Sequence, residues 1–315
     1  MRRWIGAFCV IAAAFAVWLL PIRASLAWGP DGHRVIALIA DRALQQSDPA
    51  VRAKILSILA SDKGSRLTKG DIASESTWAD VLREKSEEAR SATGAWHSTR
   101  FKPDSPDLAR ACFGHTPLPA GYPASHGPQD NCSVDKIEQF ASELKDPGTS
   151  AGERLVALQF LLNLVGDLHD PLHAIDKGDE GGDCVALGIG AKPPVRLSSY
   201  WQETLVGEVV GSNPATAAAR IAAPGAEAQK WAEGNPEAWA LETYEVAKSV
   251  TYGFAAGQPT GKQSFPARAG EAPTCPAANL YSVGPDYETK ALAAVKVQLA
   301  KAGIRLARVL RDSLK

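Results

Sequence analysis

The chain has 315 residues, 45% of them hydrophobic and 22% charged, with a formal net charge of -1. That length and apolar content suffice for one sizeable core, and no repeat or low-complexity stretch divides it. The charge balance excludes nucleic-acid binding through a broadly basic surface, so any attraction for phosphate has to be local.

The opening MRRWIGAFCVIAAAFAVWLLPIRASLA joins a basic start to an apolar run and small residues, the form of a secretory signal cut after Ala27. Pro21 and Arg23 interrupt the run and argue against a membrane anchor. Cleavage would remove Arg2, Arg3 and Arg23 with no acid, taking the net charge of -1 to about -4. The expected division is therefore a signal peptide at 1–27 and one domain at 28–315, secreted or periplasmic, with no membrane span in the mature chain and no stable protein partner.

Cys9 leaves with the signal. Cys112, Cys132, Cys184 and Cys275 remain, an even number in an exported chain, which favours two disulfides over thiolate metal ligands. Four cysteines allow three connectivities, of which nearest-neighbour pairing, Cys112 with Cys132 and Cys184 with Cys275, is the expectation.

Helical periods dominate the rest. Asp48-Pro49 caps VRAKILSILA, Ser133 starts VDKIEQFASEL, and Asn235-Pro236 caps EAWALETYEVAKSV. Near the end Leu292, Val295, Leu299, Ala302, Leu306 and Val309 recur at steps of three and four, one face of a long amphipathic helix. Strand signals are few: VALGIG and VRLSS around AKPP suit a hairpin, and HSTRF at 97 to 101 is a short candidate. Proline and glycine cluster at 103–131 and 257–285, where long surface loops are expected. The predicted fold is mainly α, a compact helical domain with one or two short β-hairpins and long disulfide-tied loops.

Four stretches could carry chemistry. In WGPDGH a freed Trp28 offers its α-amine and carbonyl to a metal in a five-membered ring, and His33 could add a ligand. In TWADVLR, Asp80 and Arg83 are three apart on one helix, spaced for a local ion pair or for a shared site in which the arginine grips a phosphate. His97 follows Trp96. In FLLNLVGDLHDPLH, Asn163 and Asp167 share a helical face, Pro171 should end the helix near His169 or Asp170, and His173 lies just beyond. A carboxylate on so apolar a helix needs a cation or several donors.

In this order an N-terminal Trp with His five on, TWAD-x-x-R, WH, GDLHDPLH followed by GDEGGD, and AGIRLARVL together resemble the zinc-dependent S1/P1 nuclease family, distantly related to bacterial zinc phospholipase C. The resemblance runs over nearly the whole mature chain and implies a secreted, disulfide-bonded, mostly helical enzyme with three zinc ions. It implies that Trp28, His33 and Asp167 hold one zinc, that Asp80, His97 and Asp167 hold a neighbour, that His173 belongs to a third, and that Arg83 binds phosphate. Asp80, Arg83 and Asp167 would be the catalytic group.

Three positions depart from the pattern. Asn163 stands where the family has a histidine, and Ser198 and Gln202 stand where it has the His and Asp of the third site. Two zinc ions are expected and the third is in question, because Ser and Gln oxygens are poor zinc ligands. The expected partner is single-stranded nucleic acid or a nucleotide, cleaved by phosphodiester hydrolysis. The alternatives are an impaired family member that binds outside the cytoplasm, and a phospholipase-C-like esterase. His169 is expected to orient a ligand from behind.

Overall fold

A computed structural model describes residues 27–62, 67–254, 257–266, 275 and 277–315. The expected signal segment lies, apart from Ala27, outside the described residues, as does part of the expected loop at 257–285. No helix among the described residues is long and apolar enough to cross a membrane.

Helices form where their caps predict. Asp48 accepts from the Val51 amide at 3.3 Å to start Pro49–Ala60, and Asn235 accepts from Ala238 at 2.9 Å to start Pro236–Val246. Ser133 is the first residue of Ser133–Lys145, but the cap is Cys132, whose sulfur accepts from Asp135 N. The C-terminal helix, Pro285–Leu314, is 30 residues long and buries Val295, Leu299, Ala302 and Leu306, the predicted face. It packs along the first helix, Gly29–Ser47, so closely that a Cβ on Gly303 would stand 2.5 Å from Ile39 Cβ and 2.9 Å from Ile36 O.

The central helix, Ala151–Leu168, is buried at every position from Ala157 to Leu168. A helix enclosed on all sides has no polar stripe, which is why its sequence reads as a nearly unbroken apolar run. Four aromatic rings fix its neighbours. Phe160 stacks on Phe140 at 4.7 Å between ring centres and meets Trp96 at 5.5 Å and Trp78 at 5.6 Å. Trp78 opens the helix Trp78–Lys85 and Trp96 lies in the turn Gly94–His97, so one cluster sets two further segments against the helix. Lys136, wholly buried, holds its ammonium 3.8 Å from the Trp96 ring centre, and burial pushes its pKa down to about 7.

A four-stranded sheet flanks this helical body in the order β2-β1-β4-β3, with β1 Val185–Ile189, β2 Val195–Arg196, β3 Gly261–Gln263 and β4 Ala278–Val283. The expected hairpin is the antiparallel β1/β2 pair, but its second strand is cut short because Leu197–Ser199 already turns helical. The expected loop at 257–285 contains β3 and β4, and β4 runs parallel to β1. NLYSV carried that strand signal, hidden by the surrounding Pro and Gly. HSTRF is not a strand: His97 ends a 3-10 turn, and only Phe101 forms a bridge, to Ile175. Cys112 and Cys132 are bonded with α-carbons 4.8 Å apart, and Cys184 and Cys275 with theirs 5.3 Å apart, the nearest-neighbour pairing. The second bond ties the start of β1 to the chain entering β4 and so holds their parallel register.

The contact at Gly303 gives a prediction. Alanine at a helix interior gains roughly 1 kcal/mol over glycine in propensity. Here the added methyl meets Ile39 and a backbone carbonyl, and overpacking of that kind costs about 1–3 kcal/mol. Gly303→Ala should therefore lower stability in urea denaturation, and an increase would contradict so close a helix contact.

Candidate metal centre

The end of the central helix delivers Asp167 into a wholly buried position with a histidine near each oxygen. His97 Nδ1 lies 2.5 Å from Oδ2, and His33 Nε2 lies 3.3 Å from Oδ1. His33 comes from the first helix and rests on Gly166, where a Cβ would stand 2.8 Å from its Nδ1. Only glycine leaves room for the imidazole there. The Gly166 carbonyl accepts from Trp28 Nε1 at 2.9 Å, so one residue seats both aromatic groups of the first helix.

Asp80 adds a second carboxylate. Its Oδ1 accepts from Arg83 Nη2 at 2.8 Å, the i,i+3 pair that the sequence allows, and its Oδ2 accepts from Asn163 Nδ2 at 3.0 Å and lies 3.6 Å from His33 Nε2. Asn163 Nδ2 also donates to the Ser76 carbonyl at 3.0 Å. Two acceptors fix which end of the amide faces them, so Asn163 turns donors toward Asp80 and leaves its oxygen on the other side. His173 Nδ1 donates to the His97 carbonyl at 2.7 Å, which leaves Nε2 with the lone pair.

Charge follows from these contacts. Burial pushes His33 down, but Asp167 and Asp80 outweigh it and hold its pKa above the ordinary value. Burial and then Arg83 hold His97 below it. Burial pushes the Asp167 carboxyl up, but His97 and His33 against its oxygens outweigh that and keep it well below the usual carboxylate range.

Five buried atoms here have no hydrogen-bond partner: His33 Nδ1 and Nε2, His97 Nε2, Asn163 Oδ1 and Asp167 Oδ1. Leaving a buried polar atom unsatisfied costs about 1–3 kcal/mol. With His33 neutral, as a metal ligand must be, four of the five offer a lone pair that a divalent cation would satisfy, with His97 held from its other nitrogen by a carboxylate as metal-bound imidazoles usually are. His33, His97, Asn163, Asp167 and the adjoining Asp80 therefore fit a metal ion.

The other expected ligands stand differently. Ser198 is hydrogen-bonded to Asp183, and Gln202 Nε2 donates to Asp170 Oδ2 at 2.9 Å. With these two side chains paired to carboxylates, His173, Ser198 and Gln202 do not fit a third ion. The Trp28 nitrogen, expected on a metal, donates to Asp170 Oδ2 at 3.3 Å. A separate trio, Cys112, His115 and Asp135, lies within ligand reach, but the Cys112 sulfur is in a disulfide and His115 already bonds Asp135, so it offers no thiolate.

Sequence reasoning missed two supports. Asp170 reads as an ordinary cap before Pro171, and it does accept from Leu172 N at 2.9 Å, yet it also gathers Trp28 and Gln202. His169, expected to orient a ligand from behind, turns to other partners, donating from Nδ1 to Val165 O at 2.7 Å and accepting at Nε2 from Arg305 Nη1 at 2.9 Å. Arg305 in turn pairs with Glu242 at 2.6 Å. Burial and then Arg305 push His169 down to about 3, so it stays neutral.

Residues 28–315, the whole stretch that carries these groups, match the family profile described as S1/P1 Nuclease. The chain belongs to the S1/P1 nuclease family. This family member is 25% identical to Endonuclease 4 of Arabidopsis thaliana over 199 residues, 59% of this chain and 56% of that protein. It is 26% identical to Nuclease S1 of Aspergillus oryzae over 203 residues, 61% and 62% of the two chains. It is 27% identical to Nuclease P1 of Penicillium citrinum over 146 residues, 46% and 47%. The chain thus spans about half to three-fifths of the length of the curated relatives it matches.

The His169 network predicts an acid response. A folded pKa near 3 against an ordinary 6.5 means the unfolded chain binds the extra proton first, so this stability is complete above pH 6.5 and is lost as pH falls toward 3. His169→Gln can keep both hydrogen bonds and does not titrate. Relative to that variant the parent should lose roughly 2–3 kcal/mol between pH 6.5 and 4 in urea unfolding. Parallel pH profiles would show that His169 is not held neutral.

Proposed function

We propose that the chain is a secreted or periplasmic zinc-dependent phosphodiesterase of nuclease type, cleaving single-stranded DNA or RNA at the site around Asp167. The observation that carries this reading is the group of unpartnered buried atoms on His33, His97, Asn163 and Asp167, which a cation would satisfy. Family membership supports phosphodiester chemistry, and the two disulfides with the signal-like opening support export.

Zinc bound there supplies a water of lowered pKa and positive charge for phosphoryl oxygens. The chain supplies the rest. Asp80 holds Arg83 by Nη2 and leaves its Nε unpartnered, so the guanidinium is positioned to donate to a non-bridging phosphate oxygen and to offset the charge that grows there. Arg83 and His173, each 7% exposed, are more open than the other candidate groups, so substrate is expected from their side. His97 and His173 present lone pairs at Nε2, each held by a partner on Nδ1.

A second reading, an impaired member that binds without cleaving, is favoured by the amide of Asn163 donating to Asp80 and by the pairing of Ser198 and Gln202. Replacing Gln202 with aspartate to rebuild a third site would set a carboxylate against Asp170, a cost that only a bound ion could offset.

Metal analysis of the processed protein with a single-strand hydrolysis assay separates the two readings. We expect about two zinc ions per chain by analogy with paired-metal sites, loss of zinc and of cleavage in Asp167→Asn, and tighter binding of the second zinc with faster cleavage in Asn163→His. Zinc-free protein that cleaves nothing, with Asp167→Asn indistinguishable from the parent, leaves the binding reading.

A further inference from the structure

We infer that Asp170 is the docking carboxylate for the α-amino group of a chain that begins at Trp28, so that removal of residue 27 completes a buried contact. Asp170 is fully buried, and its described hydrogen-bond donors are the Trp28 amide, the Leu172 amide and the Gln202 side-chain amide. All three are neutral, although a carboxylate in such a place is best served by a charged donor. The longest of the three contacts, 3.3 Å, is the one from Trp28 N.

The backbone at Trp28 points the same way. Its φ is +37°, in the left-handed region that a large side chain avoids at a cost of about 1–2 kcal/mol. The Ala27 carbonyl is folded back to accept from the Gly29 amide. Without that carbonyl there is no φ to strain at Trp28. The indole cannot shift to relieve the turn, because it is wholly buried and its Nε1 is tied to Gly166 O. The family match also begins at residue 28.

The step is hydrolysis of the Ala27–Trp28 amide by a peptidase that cuts after a small residue. One water is consumed, Ala27 leaves with the new carboxylate, and Trp28 keeps its nitrogen as an amino group. That nitrogen then carries more than one hydrogen, so it can donate to Asp170 whether or not its lone pair is given to a metal. Asp170 is thus a positioning residue: it fixes the Trp28 end of the first helix, one turn from His33. The inference rests on cleavage after Ala27 and not on nuclease activity, since every readout below is independent of hydrolysis.

The test compares a chain starting at Trp28 with one that keeps Ala27, each with and without Asp170→Asn, in zinc and in chelator. In chelator the Trp28 chain should melt about 3 °C or more above its longer counterpart, and Asp170→Asn should shrink that difference to what relief of the Trp28 backbone alone contributes. In chelator its α-amine should be acylated about tenfold more slowly than the same amine in denatured protein, as a buried group requires. An equal melting difference in the Asp170→Asn pair, or an amine as reactive as in the denatured chain, overturns the inference. The acylation readout needs no substitution, so it decides even if Asp170→Asn does not fold.

Discussion

A fully buried carboxylate at the end of an apolar helix is the constraint around which this protein is built. Asp167 lies where solvent cannot reach it, and an uncompensated charge in such a place is costly. The compensation arrives from two separate stretches, His33 from the first helix and His97 from a 3-10 turn, while a short helix beside them brings a second carboxylate, Asp80, already paired with Arg83. None of these segments could be repositioned without uncovering the charge. The aromatic cluster of Phe140, Phe160, Trp78 and Trp96 answers that demand, because it locks the helix of Asp80 and the turn of His97 against the helix of Asp167. Histidines alone do not finish the compensation, since unpaired nitrogens and oxygens remain, which a bound cation would satisfy.

The departures at 163, 198 and 202 are not equivalent. An amide has two ends, one that donates and one that accepts, and Asn163 directs its donors to Asp80 and Ser76 while its oxygen stays buried without a partner. An imidazole could not serve two acceptors and also offer a lone pair unless it shed one of those contacts. Asn163 therefore gives Asp80 an internal support that a histidine acting as a ligand would not. Ser198 and Gln202 make a different exchange, each paired with a neighbouring carboxylate, Asp183 and Asp170. In the proposed zinc site Asn163 would be a weaker ligand than a histidine, while Ser198 and Gln202 are hydrogen-bonded to carboxylates.

Much of this was legible in the sequence, for identifiable reasons. Caps at Asp48 and Asn235, the stop at Pro171 and the face of the last helix depend on local rules, and local rules are visible in one chain. GDLHDPLH with its distant Trp, His and Asp partners was legible as a resemblance, and of the positions it singled out His33 and His97 meet Asp167, with Asp80 and Asn163 adjoining them. The parallel pairing of β1 with β4 was not legible, because its partners lie some ninety residues apart along the chain and Pro and Gly punctuate the later strand. Nor was the role of Asp170. An Asp before a Pro announces a cap, and nothing in the spacing says that its other oxygen meets a tryptophan nitrogen 142 residues away. Gly166 hid for a similar reason: the space that its missing side chain leaves for His33 exists only once two helices have met.

The break at Pro171 explains how one short stretch serves two partner sets. In an uninterrupted helix Asp167 and Asp170, three apart, would share a face and repel one another across the same neighbours. Proline removes a donor and disfavours helical geometry in the residue before it, so the helix ends at Leu168 and Asp170 swings into an extended conformation as the cap of the next turn. Asp167 stays with His33 and His97, Asp170 turns to Trp28 and Gln202, and His169 between them points back to Arg305 on the C-terminal helix. The start of the first helix thereby reaches both carboxylates, His33 at Asp167 and the Trp28 nitrogen at Asp170, besides the indole bond to Gly166 O. Two contacts fix an orientation where one would leave a pivot, and a site assembled from distant segments needs that orientation before any ligand arrives.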